Sequence, residues 1–137
     1  MTISAYIAKI LSEYEGVAID MNHVEVGSDR YGLYKSPGRY KSEFTDGSYE
    51  ITENFQFFAR QRSVSRAERK EADEWLEDLC YWVDDYPYKK DFPQIDGGRR
   101  VTAIAITGAP YVTSAEDKEV LYQMSISISY IREREDV

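Results

Sequence analysis

Histidine and cysteine are nearly missing from this chain, which holds one of each, His23 and Cys80. A zinc site needs several Cys and His at ligand spacing, and one of each cannot supply it. A lone cysteine rules out an intramolecular disulfide and fits a reducing compartment. A Ser-His-Asp triad would have to use His23, and no G-x-S-x-G elbow is present to pair with it. His23 is expected to be an ordinary loop residue between two strands. Phosphate-cradling glycine patterns are also absent, and Gly97-Gly98 is better explained as a turn. Asp20 and Asn22 begin as a calcium loop would, but Glu25 stands where that loop needs glycine. Basic charge is in deficit: 17 Lys and Arg face 25 Asp and Glu, for a net charge of −8. That balance excludes a general nucleic-acid binder, which needs cations in excess, and disfavours an anionic membrane surface. No apolar run approaches the ~20 residues of a membrane span. The opening MTISAYIAKILSEYEG lacks the basic region and small-residue cleavage site of a signal peptide. These absences lead us to expect a cytosolic protein that is not an enzyme and has no metal or cofactor.

What is present is a core. Of 137 residues, 42% are apolar, among them 12 tyrosines. A chain of this length forms one domain, 1–137, and buries roughly two-thirds of its unfolded surface. The dominant stretch is Ser65–Tyr86, whose period of about 100° per residue predicts the longest helix. Ala72, Trp75, Leu76, Leu79, Cys80, Trp82, Val83 and Tyr86 form its apolar stripe, and Asp73, Glu74, Glu77, Asp78, Asp84 and Asp85 its acidic side. Ser65 caps it, Glu68 completes a capping box, and Pro87 is expected to end it. Cys80 lies on the stripe, so it is read as a small core residue. The acidic pairs are read as a solvated face.

Residues 3–14 predict a first helix stopped by Gly16. Residues 17–21 predict a short strand with Val17, Ile19 and Met21 facing the core. Residues 22–30 form a polar connection, and Tyr31–Lys35 a second short strand. Residues 36–48 carry Ser-Pro-Gly and Asp-Gly turn signals and are expected to form a long loop. That region is locally basic, with four basic against two acidic side chains over residues 29–43. Ser48–Arg62 predicts the longest strand, with Glu53 and Phe58 breaking its alternation. Arg99–Thr107 suits a central strand buried on both faces. Gly108–Glu119 is expected to be a second polar loop with an acidic tip. Leu121–Ile131 alternates most cleanly, with Gln123, Ser125, Ser127 and Ser129 opposite an apolar face. The order is α-β-β-β-α-β-β. It predicts an α+β fold, a mostly antiparallel sheet with two helices packed on one face.

The layout, with TDGSYEITENFQFFARQRS, EWLEDLCYWVDD, VTAIAITGAP and YQMSISISYIRE as its most specific parts, resembles a phage family. These are the small tail-terminator, tail-completion or "minor capsid" proteins of tailed phages and prophages of Firmicutes. The resemblance covers nearly the full length and carries no catalytic motif. It implies a homo-oligomer, a six-subunit ring that caps the head-proximal end of the tail tube. Such a ring stops tube polymerisation and offers a docking face to the head connector. Its implied partners are the tail tube protein and the connector or neck proteins, with no sequence-specific nucleic acid and no membrane. Its implied locations are the host cytoplasm during assembly and then the virion neck. On this reading the candidate interface residues are Arg30, Tyr34, Lys35, Arg39, Tyr40, Lys41 and Phe44 in the stretch 29–47 and Tyr111, Glu116 and Asp117 in the stretch 109–119. Tyr81 on the main helix and the Gln123, Ser125, Ser127 and Ser129 face complete the set. Two alternatives remain open: another neck or head-tail joining component, and a cytosolic small-ligand-binding α+β domain.

Overall fold

A computed structural model describes residues 1–24, 30–62, 64–116 and 118–134. Two helices and five strands follow in the expected order: α1 (Ile3–Leu11), β1 (Ile19–Met21), β2 (Arg30–Glu43), β3 (Tyr49–Arg62), α2 (Arg66–Lys89), β4 (Arg99–Glu116) and β5 (Glu119–Arg132). The sheet runs β1-β2-β3-β5-β4. β1 lies parallel to β2, and every other pairing is antiparallel. The α+β class and the α-β-β-β-α-β-β order are therefore as the sequence predicts.

The centre of the sheet follows from alternation. In β3, Tyr49, Ile51, Phe55, Phe57 and Ala59 are buried; in β5, Val120, Tyr122, Met124, Ile126, Ile128 and Tyr130 are buried. Their register, Phe55 opposite Ile126 and Phe57 opposite Met124, places both sets on one face. α1 closes that face with Tyr6, Ile7, Ile10 and Leu11, and α2 with Leu76, Leu79 and Val83, in one continuous core. Tyrosine hydroxyls fasten the layers. Tyr6 donates to the Pro93 carbonyl at 2.7 Å, and Tyr86 donates to Glu13 at 2.8 Å. Burial, then the charge of Glu13, pushes the Tyr6 hydroxyl up to about 12, so it remains a donor.

Several boundaries differ from expectation. α1 stops at Leu11, because Glu13 and Tyr14 turn back to Ile10 and Leu11, and Glu15 and Gly16 then take left-handed backbone. Met21 is exposed, so only Val17 and Ile19 of the first strand face inward. α2 runs through Pro87 to Lys89. Proline lacks only the N–H that would have reached Val83, and the Lys90 N–H still bonds the Tyr86 carbonyl at 2.9 Å. The tryptophans flank the stripe and are half-buried. Trp75 stacks on Tyr31, Tyr14 packs against both indoles, and the Trp75 N–H donates to Glu15 at 2.6 Å. Ser65 caps α2 as predicted, taking the Glu68 N–H on its hydroxyl at 3.2 Å, while the returning Glu68 carboxylate accepts the N–H of Val64, one residue before the cap, at 3.2 Å.

The largest correction concerns the two loops. Residues 36–43 continue β2, and Ser36-Pro37-Gly38 is a bulge inside the strand, where the register jumps between Lys35 and Arg39. β1 covers only Tyr31–Leu33 of β2, so further along that side of the strand is open and the proline's missing N–H need not serve a neighbour there. Gly38, at φ 89°, supplies the left-handed backbone of the bulge. The true turn is at Asp46-Gly47, where the Phe44 N–H bonds the Ser48 carbonyl at 2.8 Å. Residues 109–116 likewise continue β4, with register shifts around Gly108 and Pro110. β4 is an edge strand, not the central one; β3 and β5 are central.

Candidate functional site

Two surfaces remain once the core is accounted for: the open face of the sheet and a groove beside α2. On the open face, Thr52, Asn54, Gln56 and Phe58 of β3 stand opposite Ser129, Ser127, Ser125 and Gln123 of β5. Most of these side chains, Thr52, Gln56, Phe58, Gln123, Ser125 and Ser129, already have partners. Gln56 is a hub: its amide donates to Ser36 at 3.0 Å, while its oxygen accepts from Gln123 at 2.9 Å and Ser125 at 3.0 Å. Thr52 and Ser129 share a 2.8 Å hydrogen bond. The network stitches β2, β3 and β5 together and leaves a low, polar surface. Small side chains also set its shape. A Cβ at Gly108 would sit 3.0 Å from the Ser125 hydroxyl, and one at Gly32 would lie 2.2 Å from the His23 carbonyl oxygen. The chain after β1 thus lies directly on Gly32, and His23 is a loop residue held there through its backbone.

The aromatic and basic candidates separate by position. Tyr34 is half-buried, edge-on to Phe58 at 5.1 Å. Arg30, Arg39 and Lys41 are exposed along β2, Tyr40 is 75% exposed and Phe44, in the turn, 45%. Lys35 has a structural partner, Glu53, at 2.8 Å. Glu53 is the residue that broke the alternation of β3: a carboxylate on the apolar face, 2% exposed, also taking a 2.7 Å bond from Tyr130. Burial alone would raise its pKa. The hydrogen bonds from Lys35 and Tyr130, with the charges of Lys35 and Arg39, outweigh burial and hold it below the usual carboxylate range. Tyr49 nearby carries three cations around its ring, with Lys41, Arg134 and Arg132 at 4.7, 4.9 and 5.8 Å from the centroid. At the opposite end of the sheet, Tyr111 is 53% exposed and Glu116 is exposed on β4; Asp117 lies outside the described residues.

The groove lies between α2 and the edge strand β4 and encloses about 620 Å³. Leu76, Cys80, Ile106 and Pro110 line it, with Asp73, Glu77 and Asp84 among its polar groups. Asp84 accepts the Ile106 N–H at 2.9 Å and so satisfies a backbone donor on the unpaired edge. Cys80 is half-buried, so it is a groove residue more than a core one, with its sulfur 3.7 Å from that of Met124. Burial, then the charges of Asp84 and Glu77, pushes its thiol up to about 11, far from a reactive thiolate. Tyr81, 58% exposed on the rim, donates to Glu77 at 2.9 Å. Gln56, Asp84 and the groove were missed in the sequence, since each depends on which strands are neighbours. Among the described residues no group of three His, Cys, Asp or Glu is placed to hold a metal ion. No helix among them is long and apolar enough to cross a membrane.

Comparison with protein-family models and with curated proteins finds no match for this chain.

Proposed function

We propose that this protein is a structural component of a phage neck, a ring that caps the head-proximal end of the tail tube and presents a docking face to the head connector. One observation carries the reading. Exposed aromatics stand on two hairpins, Tyr40 and Phe44 on β2–β3 and Tyr111 on β4–β5, whose turns lie at opposite ends of the central β3–β5 pair, where Tyr49 faces Arg132 and Arg62 faces Glu119. A ring needs two different patches per subunit, displaced from one another, and such hairpins provide them. The low, cross-linked polar face of the sheet suits a surface that meets other protein without being buried as a core. The proposed mechanism is steric and interfacial: growing ends are covered, and a second surface is offered in exchange. The overall excess of acidic residues would let DNA pass without sticking.

The test is genetic and visual. Deleting the gene from the phage or prophage that encodes it is expected to give overlong, headless tails under the electron microscope. Tails of normal length beside unjoined heads would point instead to a joining role in the same neck. A small-ligand-binding domain is the second reading, and the groove beside α2 favours it. Its size lies within the range of ligand pockets, and apolar walls surround a few polar groups. Normal tails and intact virions after deletion would favour that reading.

A further inference from the structure

The groove beside α2 sorts its charge and its hydrocarbon into a pattern. Asp73, Glu77 and Asp84 share one stripe of the helix, about 6 Å and then about 10 Å apart along its axis at the usual rise per residue. Between them the floor is apolar, made by Leu76, Cys80 and Ile106. Each carboxylate is oriented by a neutral donor and not by a cation. Asp84 takes the Ile106 N–H and Glu77 the Tyr81 hydroxyl, both at 2.9 Å. Asp73 lies against the Tyr122 hydroxyl, which is raised first by burial and then by that charge. None of the described residues lining the groove is basic; Arg69, one turn before Asp73, acts on Tyr122 from outside the lining. The carboxylates are thus held in place without being neutralised from within the groove. A single metal ion needs its ligands around one point, and among the described residues no three His, Cys, Asp or Glu are so placed. Negative charge at intervals, with hydrocarbon between, calls for a ligand that carries positive charge at intervals with hydrocarbon between.

We infer that the α2–β4 groove binds a linear aliphatic polyamine. Its ammonium groups donate to Asp73, Glu77 and Asp84 in charge-assisted hydrogen bonds, and its methylenes lie on Leu76, Cys80 and Ile106. The inference rests on the second reading above, whose ligand class it names, and its failure leaves the ring reading intact. The deletion phenotype decides that reading and a titration decides the ligand, so the two can fail separately.

Isothermal titration calorimetry of the full chain with spermidine reads binding, and protection of Cys80 from N-ethylmaleimide locates it. The wild type is expected to bind saturably and to be alkylated more slowly, because the occupant covers the thiol. Asp73→Asn with Glu77→Gln is expected to weaken binding roughly tenfold, since two exposed charge pairs are lost. Glu74→Gln with Asp78→Asn removes the same charge from the same helix outside the groove and is expected to bind as the wild type does. All four positions are exposed, and unchanged melting curves establish folding. Should the groove pair disturb folding, Asp73→Asn alone carries a smaller loss in the same direction. Magnesium ion at matched ionic strength has charge without methylenes and is expected neither to displace spermidine nor to protect Cys80. Equal loss in the two double variants, equal competition by magnesium or an unprotected Cys80 would reduce the effect to general counter-ion attraction and overturn the site. A wild type that shows no saturable binding up to millimolar spermidine would overturn it as well.

Discussion

The two faces of this sheet share the same five strands and are held by different forces. The helix-covered face is close-packed hydrocarbon and aromatic rings: Phe55, Ile126 and Ile128 have no measurable exposure. The open face is held by hydrogen bonds among half-buried groups centred on Gln56. The first face therefore carries most of the stability, while the second can be changed at modest cost. Surfaces of that second kind are where a protein can acquire partners without losing its fold.

The sharpest way to break this comparison is to hollow the closed face. Phe55→Ala is expected to cost about 3–5 kcal/mol, because the transfer term and the cavity add. Chemical denaturation with an unchanged m-value checks it. A cost under about 1 kcal/mol would show that the core is not where stability lies.

Glu53 tests the one polar point on that face. Glu53→Ala leaves the Tyr130 hydroxyl buried without its acceptor and is expected to cost about 1–3 kcal/mol. The same carboxylate gives a pH dependence. Its folded pKa is held below the unfolded value of about 4.3. Its contribution is thus complete above that value and is lost as pH falls through the folded pKa. Melting temperatures of wild type and Glu53→Gln should differ at neutral pH and converge in acid. A gap that is constant down to the lowest pH would contradict the assigned ion pair.

On the open face the expected effect is smaller. Gln56→Ala removes the hub, but water can reach the half-buried partners, so the cost is about 1 kcal/mol. Hydrogen exchange is expected to rise in β2 near Ser36 before it rises in β5. Smallest of all is Tyr81→Ala. An exposed ring on a helix should shift stability by no more than about 0.5 kcal/mol, so any loss of association there reports contact and not folding.

The legible parts of the fold were those with local causes. Ser65 and Glu68 cap α2 through neighbours three residues apart, and the alternation of β5 stands in its own residues. Glu53 and Phe58 also stood out as breaks in a period, and each has a partner that explains it, Lys35 for one and Tyr34 for the other. Ser-Pro-Gly misled because a bulge and a turn draw on the same residues; only the pairing of Arg39 with Glu53 distinguishes them. β4 was placed at the centre because its alanines and isoleucines look doubly buried. At the edge, α2 lies against it, and Asp84 takes the N–H that a strand would have taken. That substitution, like the Gln56 hub, arises from tertiary placement and has no signature along the chain. Of the candidate surface, the exposed aromatics of the hairpins were visible as composition, and the groove was not.

The central claim is that this protein works by assembly through its edges. Mass measurement with negative-stain imaging of the purified protein, alone and mixed with tail tubes, tests it most directly. The account predicts closed rings, or caps confined to one end of each tube. Particles of monomer mass under both conditions, with tube ends bare, would contradict it.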